Sequence, residues 1–161
     1  MVIRHVAMND LPRVNELRRQ VNDLHVQGKP GWFKPGFGEE LQQYLYTLFN
    51  SEDHEILVAE LDGEIVGFTC TKYVDRPESP YSLRRRYVEI EELGVDENCR
   101  RSGTGRALVE AVRTIAKEKG VRRIDLNMWE FNENALKFYE SMGFSTYRRY
   151  LEMHIDESDE R

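Results

Sequence analysis

Cysteine is nearly absent: Cys70 and Cys99 are the only two in 161 residues, and neither has a Cys or His neighbour at zinc-ligand spacing. That argues against a disulfide-stapled scaffold and against any metal site. No window approaches the ~18 consecutive apolar residues of a membrane span, and Met1-Val2-Ile3-Arg4-His5 opens no secretory hydrophobic stretch. The expectation is a cytoplasmic protein with no membrane partner. Positive charge is also scarce, 23 Lys and Arg against 29 Asp and Glu for a net charge of −6. Nonspecific nucleic-acid binding rests on clustered cations facing phosphates, so no nucleic-acid partner is expected, whereas a cationic amine is compatible. Repeats and Pro/Gly-rich linkers are missing too. The length suits one domain that buries its own core, read as residues 1–156 with 157–161 as a frayed tail.

What is present is a succession of short strands and amphipathic helices. Val2 to Ala7 reads as a strand, and Asn9-Asp10-Leu11-Pro12 as a helix start with an Asx cap and a proline in the first turn. Val14, Leu17, Val21 and Leu24 continue that helix, and the Gly, Pro and aromatic content of Val26 to Phe37 reads as an ordered loop. A second helix is expected over Glu39 to Asn50. Glu55 to Leu61 and Glu64 to Tyr73 flank Asp62-Gly63, the turn chemistry of a type I′ hairpin. A loop with Arg84-Arg85-Arg86 leads to a third long strand, Tyr87 to Val95. Further on come a helix from Ala107 to Gly120, a strand from Val121 to Trp129, a helix from Asn132 to Met142 and a last strand from Phe144 to Ile155. Strand, glycine turn, helix, strand is a parallel βαβ crossover, and the earlier strands are antiparallel. The fold class expected is therefore α/β: a mixed, mostly antiparallel central sheet with one parallel βαβ unit.

The turn Arg100-Arg101-Ser102-Gly103-Thr104-Gly105-Arg106 feeds a helix, so unpaired N–H groups and the positive end of the helix dipole coincide with three arginines. That is a phosphate-binding arrangement. A Walker loop needs Gly-Lys-Ser or Gly-Lys-Thr, but Gly105 is followed by Arg106-Ala107. A dinucleotide fold needs a small residue where Leu108 stands and the turn directly after its strand, yet Val95 lies eight residues before Gly103.

Arg100-x-x-Gly103-x-Gly105, preceded by Leu93-Gly94-Val95-Asp96 and followed by Asn132-x-x-Ala135-x-x-x-Tyr139-x-x-x-Gly143-Phe144, resembles the GCN5-related N-acetyltransferase family. The resemblance spans nearly the whole chain and implies the family's acyl-CoA N-acyltransferase fold. It also implies acetyl-CoA as acetyl donor and an amine as acceptor, joined in a ternary complex. On its terms Arg101, Ser102, Gly103, Thr104, Gly105 and Arg106 wrap the pyrophosphate, while Arg100 opens the motif and binds or braces it. Leu93 and Val95 offer main-chain groups to the pantetheine arm, with Gly94 between them permitting a bulge that splays the strand, and the Leu93 N–H serves the oxyanion. Asn132 contacts the cofactor arm or caps the helix. Tyr139 lies near the thioester sulfur and protonates the leaving thiolate.

A base must strip a proton from the ammonium form of the acceptor. Glu91 and Glu92 are the expected candidates, with Glu89 in reserve; members of the family place such a glutamate on this strand at varying positions. Plain alternation puts Glu89 and Glu91 on one face and Glu92 on the other, and a bulge near Gly94 would change that relation. These acids are alternatively an edge paired with Arg84 to Arg86. His25, Trp32, Phe33 and Phe37, in the loop where the family builds its acceptor pocket, and Tyr73 at the hairpin end are the substrate-side candidates; His25 is a second base candidate. A small-molecule amine is slightly favoured over a protein N-terminus or lysine. The competing reading is a non-catalytic acyl-CoA sensor. Dimers are common in the family, so a homodimer is admitted.

Overall fold

Alternating apolar residues in the second quarter of the chain serve two cores at once. In a computed structural model, which describes residues 1–155, five strands form one sheet: β1 (Val2–His5), β2 (His54–Leu61), β3 (Glu64–Arg76), β4 (Arg85–Val95) and β5 (Ile124–Leu126). They lie in sequence order, antiparallel except for the parallel β4/β5 pair. Ile56, Val58, Phe68 and Cys70 pack against Leu11, Val14 and Leu17 of helix α1 (Leu11–Gly28) and Leu45 and Leu48 of α2 (Glu39–Phe49). Leu57, Ala59, Val88 and Ile90 face the other way, onto Leu108, Val109, Val112 and Ala116 of α3 (Thr104–Glu118) and Met142 at the end of α4 (Glu133–Ser141). Period-two side-chain alternation thus produces a helix-sheet-helix sandwich. The mixed sheet agrees with expectation. Asp62 and Gly63 both have positive φ, 53° and 85°, as a type I′ turn requires.

Several boundaries differ from the sequence reading. Helix α1 runs four residues further, to Gly28, because the ring of Phe131 lies over the position a side chain there would fill, 2.1 Å from an ideal Cβ; close packing outweighs the low helix propensity of glycine. Asp10 accepts from the Ala7 N–H (2.7 Å) and pairs with Arg4, closing a single 3-10 turn ahead of α1 instead of capping α1 itself. The expected strand over Val121 to Trp129 shortens to Ile124–Leu126, and no strand forms over residues 144–155. Three residues of β5 offer too short a ladder, and Leu151, Met153 and Ile155 are 93%, 87% and 90% exposed, with no sheet face to cover. That segment is tethered by side chains: Tyr147 donates to Asp125 (2.8 Å), Arg123 sits over the Tyr147 ring, and Lys29 pairs with Glu152. The expected fraying after Asp156 lies outside the described residues.

The bulge in β4 exists, but not at Gly94. Cys70 pairs with Glu92 and Thr71 with Ile90, so Glu91 is the extra residue. Gly94 is required for packing: an ideal Cβ there would meet Phe68 at 2.6 Å and Val21 at 3.0 Å. Gly94→Ala is expected to destabilise the protein by about 1–3 kcal/mol, read as a lower urea midpoint at unchanged slope; a shift under about 0.5 kcal/mol would mean the strand has room after all.

Candidate active site

The turn ahead of α3 is built for close approach. Gly103 takes φ +86° at the helix N-cap and Arg101 takes φ +63°, a left-handed conformation that costs a side-chain-bearing residue about 1–2 kcal/mol. Ser102 donates to the Cys99 carbonyl (2.6 Å) and its hydroxyl lies 2.7 Å from that of buried Thr104. The first intrahelical acceptor is the Gly103 carbonyl, taken by the Ala107 N–H at 3.0 Å, which leaves the N–H groups of Thr104, Gly105 and Arg106 directed outward. Arg100, Arg101 and Arg106 are exposed around them. Gly105 has a separate role: an ideal Cβ would stand 3.2 Å from Phe138, so its absence lets α4 lie against the turn.

Beyond Ile90 and Leu126, the last β4/β5 pair, the two strands part. The Asp96 N–H bonds the Val66 carbonyl (2.8 Å) and the Thr69 hydroxyl donates to the Glu92 carbonyl (2.9 Å), so even-numbered main-chain groups here face β3. By alternation those of Leu93 and Val95 face the gap where β5 has ended. Upstream of Glu91 the phase is opposite, since the Val88 N–H bonds Arg123 on the β5 side (3.0 Å). The extra residue therefore opens the slot and sets which amides line it.

The same extra residue gathers the acids. Cys70 packs against α1 and α2, and its partner Glu92 is met on that side by Arg18 of α1 through Nε (2.7 Å) and Nη2 (2.9 Å). Glu91 Oε2 lies 3.2 Å from His54 Nε2. Asn127 Nδ2 donates to Glu89 Oε1 (3.4 Å). All three carboxylates share one face, contrary to simple alternation, and none pairs with Arg84 to Arg86: Arg84 binds Asp75 instead (2.9 and 2.5 Å). Arg18 is buried, and its Nη1 also donates to Asn15 (3.0 Å) and the Leu41 carbonyl (2.6 Å). Burial pushes its pKa down, but Glu92 more than offsets this and leaves it raised. Both oxygens of Glu92 are thus engaged, whereas among the described residues Glu91 keeps one oxygen without a partner.

Aromatic side chains wall the acceptor side. His25 stacks on Phe33 (5.3 Å between ring centres) and meets Phe131 edge-on (6.2 Å); Trp129 meets Trp32 (5.5 Å), Phe33 (5.1 Å) and Phe131 (6.3 Å). Phe37 covers the Arg18 guanidinium at 5.3 Å. Burial depresses the His25 imidazole below its usual value, partly opposed by Glu92. Burial, with Glu91 and Glu92 adding to it, raises the Tyr44 phenol. Tyr73 is not part of this group; it packs on the α3 side against the core of Val88 and Ile90. Asn132 caps α4, accepting from the Ala135 N–H at 3.1 Å. Tyr139 sits between Phe138 (5.1 Å) and Phe144 (5.5 Å), and burial pushes its phenol up to about 12. Arg18, His54, Asn127, Trp129 and Phe131 escaped the sequence reading. Arg18 had a signal, a charge on the buried stripe four residues after Val14; Trp129-Glu130-Phe131 had one as well, paired aromatics in a short polar stretch.

A family profile described as Acetyltransferase (GNAT) family matches residues 19–144. An uncharacterized N-acetyltransferase of Bacillus subtilis is 33% identical over 144 residues, covering 89% of each chain. Another of Methanocaldococcus jannaschii is 30% identical over 147 residues, 88% of this chain and 59% of that one. The tetramutant of a Bacillus halodurans protein superposes with a TM-score of 0.92 at 29% identity, covering 96% of this chain and all of that one. Against the first three curated relatives the chain spans 59%, 37% and 25% of their lengths, less than two thirds of each.

Proposed function

Because this chain belongs to the GNAT acetyltransferase family, we propose that it transfers acetyl from acetyl-CoA directly to the primary amine of a small cationic molecule. The observation that carries the acceptor reading is the meeting of three carboxylates and an aromatic wall where β4 parts from β5. An alkylammonium gains there from carboxylate attraction and from ring faces that favour cations.

The residues fit the donor as well. Outward N–H groups of the α3 first turn, with Arg100, Arg101 and Arg106 around them, suit a pyrophosphate. The unpaired main-chain edge of Leu93 and Val95 suits the amide-bearing pantetheine arm, Gly94 lets α1 close against that edge, and Asn132 and Tyr139 border the arm from α4. Acetyl-CoA supplies an activated thioester. In balance, an ammonium and the thioester give an amide, a free thiol and one proton, with the N–C bond formed and the C–S bond broken. Glu91 takes the proton that makes the amine nucleophilic. The Leu93 N–H donates to the acetyl carbonyl oxygen as charge builds there. Tyr139 hydrogen-bonds the departing sulfur. Cys70 does not suit an acyl carrier: it is fully buried and its thiol is pushed up by that burial.

The test is thiol release from acetyl-CoA across polyamines, aminoglycosides, amino acids and peptides. Turnover confined to small amines is expected, with Phe33→Ala raising KM for the amine about 10-fold, equivalent to about 1.4 kcal/mol of acceptor binding. Preference for peptides would overturn the small-molecule assignment; acetyl-CoA binding without turnover would favour the sensor.

A further inference from the structure

His54 opens β2 beneath the bulge, and neither core uses it. Its side chain is 10% exposed, its Nδ1 lies 2.7 Å from the Ser51 hydroxyl, and its Nε2 lies 3.2 Å from Glu91, whose side chain is 27% exposed. We propose that His54, held by Ser51, is a positioning residue that orients Glu91 as the base for the acceptor amine. This rests on the acetyl-transfer reading above and deepens it.

A serine hydroxyl has one hydrogen; donated to Nδ1, it leaves the imidazole hydrogen on Nε2, the atom that faces Glu91. The Nε2–H then favours one carboxylate oxygen, leaving the other for the incoming ammonium. A side chain on a bulge is re-aimed out of the regular pleat, so Glu91 needs such a partner more than a residue in register does. Glu92 has its own in Arg18, which occupies both oxygens. Protonation of His54 would turn the contact into an ion pair and weaken Glu91 as a base. Other charges facing this corner are Lys72, the cross-strand neighbour of His54 on β3, the Tyr44 phenol from α2, Glu89 and Glu92 on β4, and Arg18 of α1 bound to Glu92; Glu55 beside His54 points to the other face of the sheet, where it pairs with Lys119. All are present in every variant below, so a change in pH dependence reports His54 and Glu91.

The experiment measures kcat, KM and melting midpoint from pH 5.5 to 9 for the wild type, Glu91→Gln, His54→Ala, His54→Gln and Ser51→Ala, with the amine the wild type turns over. Glu91→Gln should lose about 10²–10⁴ in kcat. His54→Ala should lose about 10-fold in kcat at nearly constant KM, together with one ionisation on the acid side of the profile, a fraction of what the base itself contributes. His54→Gln, whose amide N–H can stand in for Nε2–H, should regain most of the rate at pH 8 without regaining that ionisation. Ser51→Ala should shift the same ionisation with the rate largely kept. Unchanged kcat and pH profile in His54→Ala, while the wild type turns over, overturns the positioning role alone. Failure of folded His54→Gln to recover overturns it too. If His54→Ala melts early, the same pH signature is required of His54→Gln and Ser51→Ala. A wild type inert with every amine overturns the acetyl-transfer reading, and the inference with it.

Discussion

Tyr139→Phe is expected to lower kcat by about 100-fold, with KM for acetyl-CoA changed less than about threefold and the melting midpoint nearly unchanged. The ring is packed between Phe138 and Phe144, and phenylalanine keeps that packing, so only the hydroxyl is lost. Burial holds the phenol at about 12, roughly 3.5 units above a free thiol near 8.5, and complete proton transfer to a thiolate is uphill by about 5 kcal/mol. In the proposed reaction Tyr139 is therefore assigned as a hydrogen-bond donor to developing negative charge on sulfur, with the proton that ends on the thiol supplied by the amine. Two measurements check this. The kcat profile of the wild type should show no alkaline loss from Tyr139 below about pH 10, because a raised pKa keeps the donor protonated. The folded state also holds this proton above the unfolded value near 10, so this group's contribution to stability falls as pH rises from about 10 towards about 12. A Tyr139→Phe rate within about twofold of wild type would remove Tyr139 from the reaction.

Glu92→Ala is expected to cost about 3 kcal/mol of stability, somewhat less than a fully buried pair because the Glu92 side chain is 26% exposed while that of Arg18 is 3%. The cost comes from leaving the guanidinium buried with only Asn15 and the Leu41 carbonyl as acceptors. For a chain of this size the melting midpoint should fall roughly 6–12 °C. The double change Arg18→Met with Glu92→Leu should recover most of that loss, since a buried ion pair replaced by apolar groups is often neutral. Differential scanning calorimetry decides it: a Glu92→Ala midpoint within about 2 °C of wild type would mean the pair is as cheap as a surface one. This stability role separates Glu92 from Glu91, whose replacement should change rate far more than melting.

Much of this was legible in the residues. The hairpin followed from Asp62-Gly63, the left-handed turn ahead of α3 from its glycines, and the mixed sheet from the order strand, glycine turn, helix, strand. Each is set by backbone conformation or by the order of elements along the chain. The burial of Arg18 announced itself as a charge on an apolar stripe, but its partner lay 74 residues away. Trp129 read as the end of a strand because nothing local shows that β5 stops at Leu126.

The sequence by itself determined the fold class, the glycine turn that leads into α3 and the set of acids on one strand, because those depend on short-range sterics and periodicity. Tertiary structure alone decided which acid is free. A single extra residue at Glu91 shifts the register against β3, swings Glu89, Glu91 and Glu92 onto one face, and hands Glu92 to Arg18 and Glu91 to His54. Register is a property of two strands together, and neither strand's own sequence contains it.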